Sequence, residues 1–238
     1  MVPMPRYSRA RSPEAKRSRA EDMLTAARSL AAELGGVRHL MLSAVAESAG
    51  LHPSAIRRYF DSREDLLLEL AEREWAQWRE ALTARVQGAR NLTPAETAEA
   101  VATTLIAQPL FCDLLTHVPL TLESGVSLDR AVRYKSNAAT SHDAIIDALT
   151  ASGTMSAEAV RNLTTAALGL TAYLWQVAHP TPAVAELYAL HPRFGHTAQE
   201  FEPLLIGLLQ ATATGLGAVV PRTAPAPGAP TTQHREQR

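Results

Sequence analysis

The chain has 238 residues, 46% of them hydrophobic, 5% aromatic and 20% charged, with a formal net charge of −1, enough for one domain or a small one joined to a larger one, with a core that needs no disulfide or structural metal. A single cysteine, Cys112, excludes a disulfide framework and a cysteine-cluster zinc site. No apolar run reaches the roughly 18 residues that span a membrane, and no apolar stretch of a secretory signal follows the basic start MVPMPRYSRARSPEAKRSRA, so a soluble, cytoplasmic protein with no membrane partner is expected.

The charge is unevenly placed. Residues 1–60 carry ten Arg or Lys against five Asp or Glu, and residues 61–238 carry thirteen against nineteen, so +5 and −6 sum to −1. A basic N-terminal part on an acidic remainder suggests that one end meets a polyanion; a solvated basic tail is the competing explanation. Residues 1–17 mix Pro, Arg and Ser without apolar periodicity and read as a disordered basic arm. From Arg6 to Arg19 the arm holds six cations against Glu14, and it is expected to follow DNA phosphates. Residues 221–238, Pro-rich and poor in core-forming residues, read as a disordered tail.

Between these ends the apolar residues recur at helical spacing and no alternating strand pattern stands out. The expected fold class is all-α, with helices over 19–34, 42–49, 53–59, 63–87, 94–106, 109–118, 127–151, 156–178 and 198–217. The stretch 179–196 reads as a long connection holding a short helix. Ser18-x-x-Glu21, Thr93-x-x-Glu96 and Thr197-x-x-Glu200 fit capping boxes, with Pro94 at a first helical position. Gly35-Gly36 should stop the first long helix.

The informative segment is LMLSAVAESAGLHPSAIRRYFDSREDLL, residues 40–67. Leu42, Val45, Ala46 and Ala49 form one inward stripe; Leu51 and Ile56 meet it, and Phe60 closes the small core. Gly50 supplies the positive φ of a sharp turn between two short helices. That is a helix-turn-helix, whose second helix can enter the major groove of DNA. His52 can cap that helix, and Pro53, Ser54, Ala55, Arg57, Arg58 and Tyr59 give it small, cationic and aromatic side chains. An ordinary helical hairpin with a solvated Arg pair is the competing reading of the same residues.

VAESAGLHPSAIRRYFDSREDLL, running from Val45 to Leu67 without a gap, resembles the DNA-binding domain of TetR-type transcriptional regulators, and the resemblance covers residues 19–87. It implies a homodimeric all-α protein with a helix-turn-helix domain at 18–62, a connecting helix at 63–87, and a C-terminal effector-binding and dimerisation domain at 88–220. It also implies a repressor released from a palindromic double-stranded DNA operator by a small molecule of unknown identity. Carried over residue by residue, it places Tyr59 and Arg63 on the DNA backbone, with Ser43, His52, Pro53, Ser54, Ala55, Arg57 and Arg58 completing the DNA-binding set. Arg57 stands where the family usually has Tyr, Ser54 where Gly is common, and Met41 where Thr usually caps a helix and touches a phosphate.

Beyond residue 90 the residues speak for themselves. The helices 156–178 and 198–217 carry strong apolar stripes, candidates for a dimeric four-helix bundle or for the monomer's own core. Trp78, Phe111, Cys112, His117, Tyr134, Tyr173 and Trp175 are candidate ligand-binding residues on helices. Asp113 and His117 share a helix face, without a third ligand for a metal; His191 and His196 flank a Pro-Arg-Phe-Gly loop. G-x-S-x-G, H-E-x-x-H, P-loop and dinucleotide-binding signatures are missing, so neither an enzyme nor a cofactor or metal is expected. A small-molecule-binding helical protein or enzyme without DNA binding is the alternative. Arg outnumbering Lys and the high Ala content point to a GC-rich bacterial genome.

Overall fold

The computed structural model describes residues 13–195 and 200–218. The first helix, α1, spans Pro13–Glu33. Proline's fixed φ suits a first helical position, and Glu14 in the first turn meets the positive end of the helix dipole. Residues 13–17, expected in the disordered arm, are therefore helical, and Ser18 sits inside α1 rather than capping it. The turns before Ala20 are mostly exposed, so no apolar stripe announces them. Arg6, Arg9, Arg11, His196, Thr197 and the expected tail at 221–238 lie outside the described residues.

Gly35 and Gly36 end α1 at φ values of 73° and 135°, and the Gly36 amide donates to the Ala31 carbonyl at 2.8 Å, as in a left-handed helix cap. Then follow α2 (Leu42–Ser48) and a 3₁₀ segment, Pro53–Arg58. The latter was expected as an α-helix. Its amides bond three residues back, Ala55 to His52 and Tyr59 to Ile56, the tighter winding common in short pieces. Gly50 makes the turn between them at φ 69°. Met23, Leu24, Ala27, Val45, Ala46, Ile56 and Phe60 are buried and form the core of this head.

From the head α3 (Arg63–Val86) runs into the body. The body comprises α4 (Pro94–Ile106), α5 (Pro109–His117), α6 (Leu128–Ser152), α7 (Ala157–Ala178), α8 (Pro182–Leu190) and α9 (Phe201–Ala218). Most starts have a local cause. The Ser62, Ser127 and Ser156 side chains accept amides three residues on, and Thr93 with Glu96 makes the expected reciprocal capping box with Pro94 in the first turn. The short α8 occupies the expected connection. α6 packs along α3, while α9 packs against α4 and α7. The α3–α4 and α6–α7 connections are tied where Leu92 bonds Ser152 and Thr154 through the backbone, both at 3.0 Å. No single described helix is long and apolar enough to cross a membrane.

Candidate nucleic-acid interface and effector cleft

The tip of the head is shaped by its own residues. His52 caps the 3₁₀ segment: its Nδ1 accepts from the Ser54 amide at 3.2 Å and lies 2.8 Å from the Ser54 hydroxyl. Ser43, His52, Ser54, Arg57 and Arg58 are exposed or nearly so, and Pro53, Ala55 and Tyr59 are half-buried, while Ile56 points inward. These eight of the nine expected residues thus reach the surface at least in part, Ser43 on α2 and the others along residues 52–59. Arg57 Nη1 donates to the Asp61 carbonyl at 2.8 Å, which orients its guanidinium across the end of the segment. Met41 holds the N-cap position of α2, is 63% exposed and gives no side-chain bond there.

Arg63 differs from expectation. Its guanidinium donates to the Leu40 carbonyl at 2.8 Å and to the Val37 carbonyl at 2.6 Å. Both bonds tie the start of α3 to the loop before α2. The Nε and Nη2 donors of its planar fork are thus engaged by protein.

The same loop is gripped from the body. The Val37 amide donates to Asp113 Oδ2 at 2.6 Å, and Gln176 Nε2 donates to Asp113 Oδ1 at 2.9 Å. Gly36 makes this approach feasible, since a Cβ there would lie 3.1 Å from Asp113 Oδ2. Burial pushes the Asp113 carboxyl up, but the His117, Val37 and Gln176 interactions outweigh it and hold it below the usual carboxylate range. A depressed folded-state value means a contribution present above the unfolded-state pKa and lost as pH falls through the folded one. Asp113→Asn should therefore cost about 2 kcal/mol at neutral pH and flatten the acid limb of stability, read by denaturant titration across a pH series.

A cavity of about 590 Å³ opens beside this latch, between α1, α3, the start of α5 and the end of α7, within the size range of small-molecule sites. Ala31 and Leu110 with the rings of Pro109 and Trp175 supply apolar wall, and Glu74 and Gln108 supply polar groups. The Trp175 and His179 rings stack with centroids 3.7 Å apart. Glu74 is 1% exposed; Arg28 Nη2 of α1 lies 2.5 Å from its Oε1, without hydrogen-bond alignment. Burial raises the Glu74 carboxyl against the pull of Arg28.

Of the seven expected ligand residues, Trp175 borders this cleft. Trp78 and Phe111 pack with Trp75 in the aromatic centre of the body, where the Trp78 indole donates to Thr104 at 3.1 Å. Tyr134 accepts from the Trp75 indole at 3.2 Å, and burial pushes its hydroxyl up to about 12. Cys112 bonds the Leu105 carbonyl, and burial pushes its thiol up to about 12, the state of an inert packed cysteine. His117 is half-buried beside Asp113, 3.8 Å away. Tyr173 is 64% exposed on α7 and lines a second, more open cavity of about 570 Å³ with Gln176, Val184 and Tyr188. Among the described residues no group of three or more His, Cys, Asp or Glu is placed to hold a metal ion.

Glu74 was missed, although it left a sequence signal. It stands in the stripe Leu67, Leu70, Glu74, Trp78, Leu82, whose other members are buried apolar residues. A carboxylate at a stripe position has to face either a partner or a cavity.

Residues 23–70 match the model of the bacterial regulatory proteins of the tetR family, and residues 72–219 match that of the tetracyclin repressor-like C-terminal domain. The chain belongs to the TetR family, and its class is that of a ligand-responsive, DNA-binding transcriptional repressor, not an enzyme. Among solved structures it is similar to Thermus thermophilus FadR, a TetR-family transcriptional repressor in complex with lauroyl-CoA. The match has 18% identity and a TM-score of 0.51, over 88% of this chain and 100% of that one. It is also similar to a TetR transcriptional regulator from Rhodococcus sp. RHA1 (15% identity, TM-score 0.48, 84% and 95% covered). A third is Bacillus subtilis FadR in complex with stearoyl-CoA (15% identity, TM-score 0.48, 83% and 97% covered). No curated protein matches the chain.

Proposed function

We propose that this repressor works as a homodimer, reads a palindromic operator with the Pro53–Arg58 ridge of each head, and leaves it when a small molecule alters the grip of body on head. The observation that carries the reading is the chain of contacts from body to reading segment. Asp113 of α5 holds the Val37 amide, Arg63 holds the Val37 and Leu40 carbonyls, and α2 follows two residues later. A ligand that binds one head orientation better than another shifts the population between them. The direct test is anisotropy titration of the purified protein against operator candidates selected from a random palindrome pool. Saturable, salt-sensitive binding to one selected palindrome is expected; equal weak binding to every duplex would overturn the reading.

The outer faces of α7 and α9 favour a second copy of the chain as partner. Tyr173 and Leu208 are exposed there, and a Cβ added at Gly169, Gly207 or Gly215 would meet nothing within 4 Å. Glycine inside a helix costs stability, and close approach of another helix offsets that cost. Leu205, by contrast, is fully buried within the monomer, so Leu205→Glu would unfold the chain rather than divide a dimer. Tyr173→Glu with Leu208→Glu should give folded monomers in sedimentation equilibrium where the unaltered chain is dimeric. An unaltered chain that sediments as a monomer would end the proposal.

A further inference from the structure

We propose that the cleft between α1, α3, α5 and α7 takes an organic cation, an amine with an apolar body, whose ammonium group competes with Arg28 for Glu74. The inference rests on the ligand-responsive reading and adds the ligand's chemical class and its point of attack.

The polar lining is arranged for a donor. Glu74 Oε1 and Gln108 Oε1 belong to residues lining this cleft, and both are buried without a hydrogen-bond partner. Gln108 Oε1 has no partner and Glu74 Oε1 is held only by the misaligned Arg28 guanidinium, so both favour an N–H donor, because a buried acceptor left unbonded carries a desolvation cost. Asp113 adds a second carboxylate to the wall, although its oxygens are already engaged by Val37 and Gln176. An anionic ligand would meet two carboxylates, Glu74 and Asp113, against the one guanidinium of Arg28 on this wall; while Arg28 stays paired with Glu74, the Asp113 carboxylate is left to repel it. The apolar wall of Ala31, Leu110, Pro109 and Trp175 suits a hydrocarbon or ring body.

Arg28 decides how such a ligand would act. It belongs to α1, in the head, and its side chain is 40% exposed, whereas Glu74 is on α3 and buried. A buried carboxylate needs a cation nearby, but that cation need not be Arg28. An ammonium seated on Glu74 replaces the arginine, which returns to solvent at little cost, and one tie between α1 and α3 is lost. The exchange gives the ligand a differential affinity for a released head, as any population shift requires.

The test uses two probes of one carbon skeleton and opposite charge, decylamine and decanoate, titrated calorimetrically into the full-length protein, with operator release followed by anisotropy. Decylamine should bind at least about tenfold more tightly than decanoate and release the operator. Glu74→Gln, which keeps shape and removes charge, should weaken decylamine about tenfold, and Gln108→Leu should weaken it less. Arg28→Met removes the competitor and should tighten decylamine while leaving decanoate no tighter. Thermal melts establish that each variant is folded; Gln108→Leu and Arg28→Met keep the test decisive if Glu74→Gln is not. Decanoate binding that is tighter, and weakened by Arg28→Met, would overturn the cation assignment while leaving the repressor reading intact. So would failure of both probes to bind. Decylamine binding by a protein that recognises no selected operator would instead sustain the site and overturn the repressor reading.

Discussion

Arg130→Ala is expected to lower the unfolding free energy by about 2–3 kcal/mol, because removing the buried guanidinium strands three carboxylates that water reaches only in part. Arg130 of α6 is 9% exposed. Its Nε lies 2.6 Å from Asp65 Oδ1 and its Nη2 lies 3.6 Å from Glu69; its Nη1 pairs with Glu72. Three carboxylates on one face of α3 thus converge on one guanidinium from the body. Asp65 also accepts the Asp61 amide at 3.1 Å, just past the reading segment, so the cluster fixes where the head leaves α3. Arg133 also reaches Glu69 and Glu72, but is itself 55% exposed and cannot fill the buried position. Chemical denaturation should show the loss, and operator affinity should fall with it. A variant within about 1 kcal/mol of the unaltered protein would mean that water screens the cluster.

Replacing Arg57 and Arg58 together by Ala is expected to weaken operator binding about a hundredfold, roughly 2.7 kcal/mol, with thermal stability nearly unchanged. Both side chains are exposed, and neither supports the core. If both meet phosphates, the slope of log affinity against log salt should flatten by about two; if one reads a base edge, the slope should change by about one and half-site preference should relax. Unchanged affinity would remove the pair from the interface. Arg63→Ala should behave differently. Its bonds run to Val37 and Leu40, so binding should weaken through loss of head geometry, with a lower melting temperature and an unaltered salt slope.

The contrast among these three arginines separates what was legible in the sequence from what was not. Arg57 and Arg58 were readable because their surroundings are local: Gly50 makes the turn, His52 caps, Ile56 points inward, and helical spacing places the rest outward. Arg63 was placed on the DNA by resemblance, and its side chain instead completes bonds to residues 23 and 26 positions earlier. The expected disordered arm, residues 1–17, overlaps the start of α1 at Pro13 for a related reason. The first turns of α1 rest on Pro13 and Glu14 rather than on packing, so apolar periodicity was silent there.

The sequence by itself determined the helical class, most helix starts and the helix-turn-helix joined at Gly50, whereas α1 begins six residues before its expected start and α9 three residues after. Caps, glycine stops and apolar stripes act over a few residues, and a chain carries such rules in its order. Only the tertiary structure decided the sites where distant residues meet: Asp113 with Val37, 76 positions apart, and Arg130 with Asp65, 65 apart. It also moved Trp78, Phe111 and Tyr134 from a supposed pocket into packed core, and brought Glu74, Gln108 and Arg28 to the cleft. Whether an aromatic side chain lines a cavity or fills one depends on the volume left between helices. That volume is set by the packing of all of them at once, and no local pattern encodes it.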